Sequence, residues 1–322
     1  MEWCGPCAPS KTVVVIGATG NQGGGVMRKL ASTSGFKVRA LTRNPEGRKA
    51  KLLEKMRNVT VVKGDLDDES SLVAAFEGAY GVFLVTSFWE HGLPEKEERQ
   101  ARSVASAAKK ANVLHLVKST LEFTPIYGAG ESIPDIEIEH RLYKVPHFDA
   151  KGSTDHYFID LGVPTTFLRT SFYMENLIHF GMGPKKQEED GKYILTLPMS
   201  DTSILPMISS RDIGICAATI FKKPELIGQS FGIVGDFVTG PQLASAISEA
   251  KGFPIEFKTI SFEDYRKEEF PGARDLSNMF QWQEENNEEF CARRDIEITK
   301  TLNPSVLNLK KWLTLYVKDI PV

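Results

Sequence analysis

Val13-Val-Val-Ile16 runs directly into Gly17-Ala18-Thr19-Gly20-Asn21-Gln22-Gly23, and an amphipathic stretch follows. A buried strand, a glycine-rich turn and a helix, in that order, constrain the fold more than any other feature of the chain. In such a turn one glycine makes the tight exit from the strand and a second lets backbone approach a pyrophosphate. A third lets helix and strand pack closely. The helix start then offers unpaired N–H groups and a positive dipole end to the phosphates. The spacing G-x-x-G-x-x-G in this setting predicts a dinucleotide site, whereas the glycines alone would suit a plain tight turn.

The alternation continues downstream. Residues 12–16, 37–42, 59–63, 81–86, 115–119 and 165–169 have strand length and are rich in Val, Ile, Leu and Phe. Residues 22–32, 48–56, 70–76, 95–112 and 151–161 between them carry helical patterns. Repeated βα units predict an α/β fold: a Rossmann-type doubly wound parallel sheet with a smaller helix-rich C-terminal domain. Past Arg169 the pattern is irregular, with strands at 193–198 and 230–234 and a helix at 211–222. Thr239-Gly-Pro-Gln242 reads as a capping box, Ser261-Phe-Glu-Asp264 as a second helix start, and the chain from Gly272 as mostly helical.

The end of the second strand chooses between cofactors. NAD sites usually place an acid about 20 residues beyond the loop, on the ribose 2′-hydroxyl. Here the chain reads Thr42-Arg43-Asn44-Pro45, with no acid before Glu46. A guanidinium pairs with a 2′-phosphate in fork geometry, where a carboxylate would repel it. The expected cofactor is therefore NADP(H), the alternative being that Arg43 is a solvated surface residue. The expected domains are a tail at 1–10, an NADP(H)-binding domain at 11–171 with about 203–236, and a smaller substrate or partner domain from about 172–202 and 237–322. Gly64-Asp65-Leu66-Asp67-Asp68 reads as a helix N-cap with acids near the dipole, and Asp65 suits a contact to the adenine edge. No histidine or further oxygen ligand lies nearby in sequence, so no metal is expected there.

Short-chain reductases move a proton with a Tyr tuned by a Lys four residues on, the two facing the nicotinamide from one helical turn. The corresponding stretch is His147-Phe-Asp-Ala-Lys151: the lysine is present, and histidine holds the tyrosine's place. His147 either moves a proton or packs as an ordinary histidine. Ser119, at a strand end, falls where such enzymes put a polarising hydroxyl. The catalytic candidates are thus His147, Lys151 and Ser119, and no esterase, zinc-protease or Walker motif competes with them.

Composition closes other routes. A formal net charge of −3 supplies no attraction for nucleic acid or an anionic membrane, and no apolar run approaches the roughly 20 residues of a membrane span. Four cysteines do not make a disulfide framework. The expected address is a reducing cytoplasm, with the nucleus as a second possibility. Trp3-Cys4-Gly5-Pro6-Cys7 spells a thioredoxin-type site without the strand that should precede it, so it is read as a tail or as a redox pair. Cys216, in an apolar helix, reads as a packing thiol.

Gly17-Ala-Thr-Gly-Asn-Gln-Gly23, Thr42-Arg-Asn-Pro45, Gly64-Asp-Leu-Asp-Asp68 and His147-Phe-Asp-Ala-Lys151 together resemble the NmrA-like family, atypical relatives of the short-chain dehydrogenase/reductases. Arg169-Thr-Ser-Phe-Tyr-Met-Glu-Asn176, Phe270-Pro-Gly-Ala-Arg-Asp275, Arg294-Asp-Ile-Glu297 and Leu302-Asn-Pro304 extend the resemblance over about residues 11–315, closest to its redox-sensor branch. The resemblance implies a Rossmann domain that holds NADP(H) and reports the NADPH/NADP balance through shape, association state (a homodimer among the possibilities) or a regulatory protein partner. By the family pattern the cofactor meets the glycine loop, Arg43, Asn44, Gly47, Asp65 and Leu66. Thr86, Ser87, Phe88, Lys151, Tyr173, Met174, Glu175 and Asn176 face its nicotinamide half. A family lysine in the helix after the fourth strand falls loosely on Arg99. Residues 120–145 are longer and more acidic than their family counterpart, and read as a lid, a partner surface or a disordered insertion. Two functions remain open beside the sensor: an NADPH-dependent reductase of quinones or other carbonyl-like substrates, and a binding module with a structural cofactor.

Overall fold

The computed structural model describes residues 10–322, and Cys4 and Cys7 lie outside them. Strands β1 (Lys11–Val15), β2 (Phe36–Thr42), β3 (Val59–Lys63), β4 (Gly81–Leu84), β5 (His115–Thr120), β6 (Thr165–Arg169) and β7 (Ser230–Gly232) form one parallel sheet. Their order is β7-β6-β5-β4-β1-β2-β3, which reverses direction at β1/β4 and makes a crevice at the strands' carboxyl ends. Alternating side chains feed two cores. Val13, Val15, Val38, Phe83 and Val117 lie on one face, and Val14, Leu41, Val82, Leu84 and Leu116 on the other.

Helices α1 (Asn21–Ala31), α2 (Arg48–Glu54), α3 (Glu69–Phe76), α4 (Pro94–Lys110), α5 (Pro146–Gly152), α6 (Asp155–Asp160) and α7 (Ser210–Ile220) cover the sheet. The helix expected at 151–161 is instead two. Pro146 opens α5 early, Thr154 Oγ1 donates back to the Lys151 carbonyl at 2.7 Å, and α6 starts afresh at Asp155. As a result His147 and Lys151 share α5, one turn apart. Helices α1 and α7 cross with backbones touching: a Cβ on Gly214 would lie 2.8 Å from the Val26 nitrogen. Cys216, on α7, is fully buried, and burial pushes its thiol well above the usual range.

Beyond β6 the chain builds two three-stranded sheets and a helical layer. One sheet joins Lys185–Lys186, Tyr193–Leu197 and Ile255–Thr259; the other joins Phe172–Tyr173, Ile204–Ile208 and Asp236–Thr239. Both expected helix starts form, Thr239 as a full capping box and Ser261 as a cap on the Asp264 amide. Helix α8 (Gly240–Lys251) and α9 (Ala273–Glu285) pack around a third core centred on Trp282, Trp312 and Phe280. Residues 120–145 are folded, which sets aside the disordered reading. Ile136–Ile138 and Arg141–Tyr143 pair as a hairpin turned through Glu139 and His140, both at positive φ. Ile133 is buried in the third core, Trp282 Nε1 donates to the Tyr127 carbonyl at 3.2 Å, and Asn278 Nδ2 donates to the Pro134 carbonyl at 2.8 Å.

Candidate dinucleotide site

The glycine loop has the shape a pyrophosphate needs. Gly17 turns off β1 at φ +70°, where a Cβ would also lie 2.8 Å from Val85 Cγ1. A Cβ on Gly23 would strike the Gly17 carbonyl oxygen and lie 2.8 Å from that of Ile16, so only glycine lets α1 seat this closely on β1. Gly20 is the N-cap residue of α1; no side chain caps this helix, and its first turn holds no acid. Helix α3, by contrast, is capped by Asp68, which accepts from the Ser70 and Ser71 amides. The start of α1 therefore keeps its orphan donors and its positive end for an external anion. Ala18 is buried under the turn, while Thr19 and Gly20 are exposed and Asn21 is half-buried. The residues present fit a dinucleotide.

Gln22 ties this loop to the rest of the crevice. Its Nε2 donates to Ser119 Oγ at 2.8 Å, and its Oε1 accepts from the Tyr173 hydroxyl at 2.8 Å. Burial pushes the Tyr173 phenol up to about 12, so it serves as a neutral donor. Of the neighbouring family positions, Met174 is fully buried in the third core. Glu175 accepts from Ser209 Oγ at 2.7 Å and the Ser210 amide at 2.9 Å, holding the start of α7. Asn176 opens a short helix, Asn176–His179. Among the described residues, only Tyr173 of these four bonds to the glycine loop.

Just beyond β2, exposed Arg43 forms an ion pair with Glu90, whose hydrogen bond raises the guanidinium pKa further. Asn44 N–H donates to Thr42 Oγ1, and the Gly47 amide to the Asn44 carbonyl, in the turn that leads into α2. Asp65 Oδ1 accepts from the Asp67 amide at 3.0 Å, and Leu66 packs on the core beneath.

At the end of β4, Lys151 Nζ donates to the Thr86 carbonyl at 3.1 Å, to Thr86 Oγ1 at 2.9 Å and to the Glu97 carboxylate. The Thr86 hydroxyl also donates to Glu97. Ser87 is exposed and Phe88 buried at the start of the turn Phe88–Glu90. Arg99, expected at the family lysine's place, points to solvent; Glu97, 1% exposed, is the α4 residue that faces the site. Its spacing with Pro94, Ala101, Val104 and Ala108 puts it on the buried face of α4. A carboxylate at a core-facing helical position was the available signal, since buried charge demands a partner. His147 is 6% exposed; its Nδ1 lies 2.7 Å from Asp275 Oδ1, and its amide donates to Asp275 Oδ2 at 3.1 Å. Glu90, Glu97 and Asp275 are the three partners that reading the sequence missed.

Sheet order, crevice and glycine turn define a Rossmann-type dinucleotide fold. The chain belongs to the NmrA-like family, whose model matches residues 9–315. It is 46% identical over 289 residues to an NmrA-like family domain-containing oxidoreductase, hkm9, of Aspergillus hancockii, covering 85% of this chain and 82% of that protein. The solved structure of NmrA, a negative transcriptional regulator, in complex with NADP superposes with a TM-score of 0.79 at 22% identity over 96% of each chain. The Citrobacter sp. triphenylmethane reductase complexed with NADP(H) superposes at 0.73 and 22% identity, over 95% of this chain and 99% of that one. No helix among the described residues is long and apolar enough to cross a membrane.

Proposed function

We propose that this protein binds NADP(H) and reports the NADPH/NADP balance through its conformation or a protein partner, in the cytoplasm and the nucleus. One observation carries the reading. A single segment, residues 86–97, supplies two carboxylates that pair with cations on different elements, Glu90 with Arg43 and Glu97 with Lys151. A 2′-phosphate competes with Glu90 for Arg43, and the nicotinamide half competes with Glu97 for Lys151. Binding is thereby coupled to where this segment sits. The two oxidation states differ by one positive charge on the nicotinamide ring, and in this reading the Glu97–Lys151 pair, with Glu97 1% exposed, registers it, because charges interact strongly away from water. A ligand shifts a two-state protein only through different affinities for the two states, and this exchange of partners supplies such a difference. The smaller domain at about 172–202 and 237–322 would present the response.

The test is limited proteolysis of residues 86–97, with gel-filtration size, in NADPH, in NADP+ and without either. NADPH and NADP+ are expected to give different cleavage rates; identical behaviour in all three removes the sensor reading. Arg43→Ala is expected to weaken NADPH binding by roughly 10–100-fold, the worth of a charge-assisted hydrogen bond, and to leave NADH binding unchanged. Calorimetry with both nucleotides checks this, and equal losses for the two would refute the 2′-phosphate assignment.

A second reading, an NADPH-dependent reductase of quinones or other carbonyl-like acceptors, is favoured by the His147–Asp275 pair beside Lys151. Support also comes from the Aspergillus relative's description as an oxidoreductase and from the named activity of the Citrobacter reductase.

A further inference from the structure

Asp275 sits at the first turn of α9, 128 residues from His147 in sequence, yet it grips that residue twice. Oδ2 accepts the His147 amide and Oδ1 faces Nδ1. A carboxylate cannot donate at neutral pH, so the 2.7 Å contact requires a proton on Nδ1. Nε2 is then the nitrogen that loads and unloads a proton. Among the described residues Nε2 makes no hydrogen bond, and it is not among the buried side-chain atoms left without a partner. The imidazole is held laterally by Trp89, with ring centroids 4.9 Å apart, and by Phe88, at 6.0 Å. Phe88 lies two residues beyond Thr86, whose carbonyl and hydroxyl hold Lys151 one helical turn along α5.

We infer that Asp275 is a positioning residue that orients His147 as the proton donor of a carbonyl reduction; the inference rests on the reductase reading. NADPH, when bound, supplies the hydride to the acceptor carbon and leaves as NADP+. The carbonyl's electron pair moves to its oxygen, which takes a proton from Nε2 of the His147 imidazolium. The ring is left neutral with its proton on Nδ1, still bound to Asp275, and regains the Nε2 proton from water. The same carboxylate fixes the ring's orientation before transfer and its tautomer after it, as in other aspartate–histidine pairs.

Asp275→Asn separates this role from packing. Asn Oδ1 keeps the bond to the His147 amide, and its NH2 then faces Nδ1, which drives the ring proton to Nε2. Long-range 1H–15N spectra of the full chain are expected to show Nδ1 protonated in the wild type and the opposite tautomer in Asp275→Asn. With NADPH and a probe panel of 9,10-phenanthrenequinone, menadione and 4-nitrobenzaldehyde, kcat is expected to fall about 100-fold in Asp275→Asn and His147→Gln. KM should be nearly unchanged while kcat falls, a split that a merely structural contact would not produce. Wild-type turnover retained by either variant, or an Nε2–H tautomer in the wild type, overturns the inference alone. No wild-type turnover on any probe overturns the reductase reading and the donor role together, whatever the tautomer.

Discussion

Gly23→Val is expected to abolish measurable NADP(H) binding, raising Kd by more than about 100-fold, or roughly 2.8 kcal/mol. The reason lies in the backbone. A Cβ at this position meets the carbonyls of Gly17 and Ile16, which no rotamer change can move. Helix α1 must therefore lift from β1, and the amides at its start, which would hold a pyrophosphate, diverge with it. Gly24→Ala, one residue on, is the control. Its Cβ would meet the end of the Arg28 side chain at 3.1 Å, relieved by rotating Arg28, and the Ala18 carbonyl at 3.3 Å, which needs a shift of only a few tenths of an ångström. Calorimetric titration of both variants, with circular dichroism to confirm folding, checks the expectation. Near-native affinity in a folded Gly23→Val protein would mean that the phosphates do not sit on this turn.

What could be read from the sequence was what local chemistry decides. Val13 to Gly23 needs only neighbours in sequence to declare a strand, a turn and a helix start. Asp68, Thr239 and Ser261 likewise announce caps from within one helical turn. The partners of the site's charged residues were illegible for the opposite reason. Glu90 lies 47 residues from Arg43, and Glu97 lies 54 from Lys151. Periodicity turns Glu97 inward, but only the order of β4 and β5 in the sheet decides which cation it meets. The 120–145 stretch hid its fold because single apolar residues, Ile133, Ile136 and Val145, anchor it with no regular period. Its acidic surface residues then dominate the reading. His147 marks the boundary between the two cases: its spacing to Lys151 was visible, and the carboxylate it pairs with was not.

Arg294→Ala is expected to lower stability by about 3–5 kcal/mol, the usual cost of leaving a buried charge unpaired. Arg294 and Glu122 are both fully enclosed, joined at 2.7 and 3.1 Å. The guanidinium also donates to the Thr170 carbonyl at 2.8 Å and the Phe290 carbonyl at 3.2 Å, and stacks over the Phe290 ring. It thus fastens the chain just beyond β5 and β6 to the C-terminal helices. Removing both charges should hurt less than removing one, so Glu122→Gln with Arg294→Met is expected to recover most of the loss. Thermal and urea unfolding of the single and double variants tests this; a single variant within about 1 kcal/mol of wild type would show that water reaches the pair. The effect should also reach the crevice. A Cβ on Gly152 would lie 2.7 Å from the Glu122 carbonyl carbon, so α5 rests directly on this backbone. If Glu122 shifts to find water, α5 moves with it, and α5 carries both Lys151 and His147. Arg294→Ala should therefore weaken NADPH binding even at temperatures where the protein remains folded, although Arg294 itself touches none of the residues that line the glycine loop.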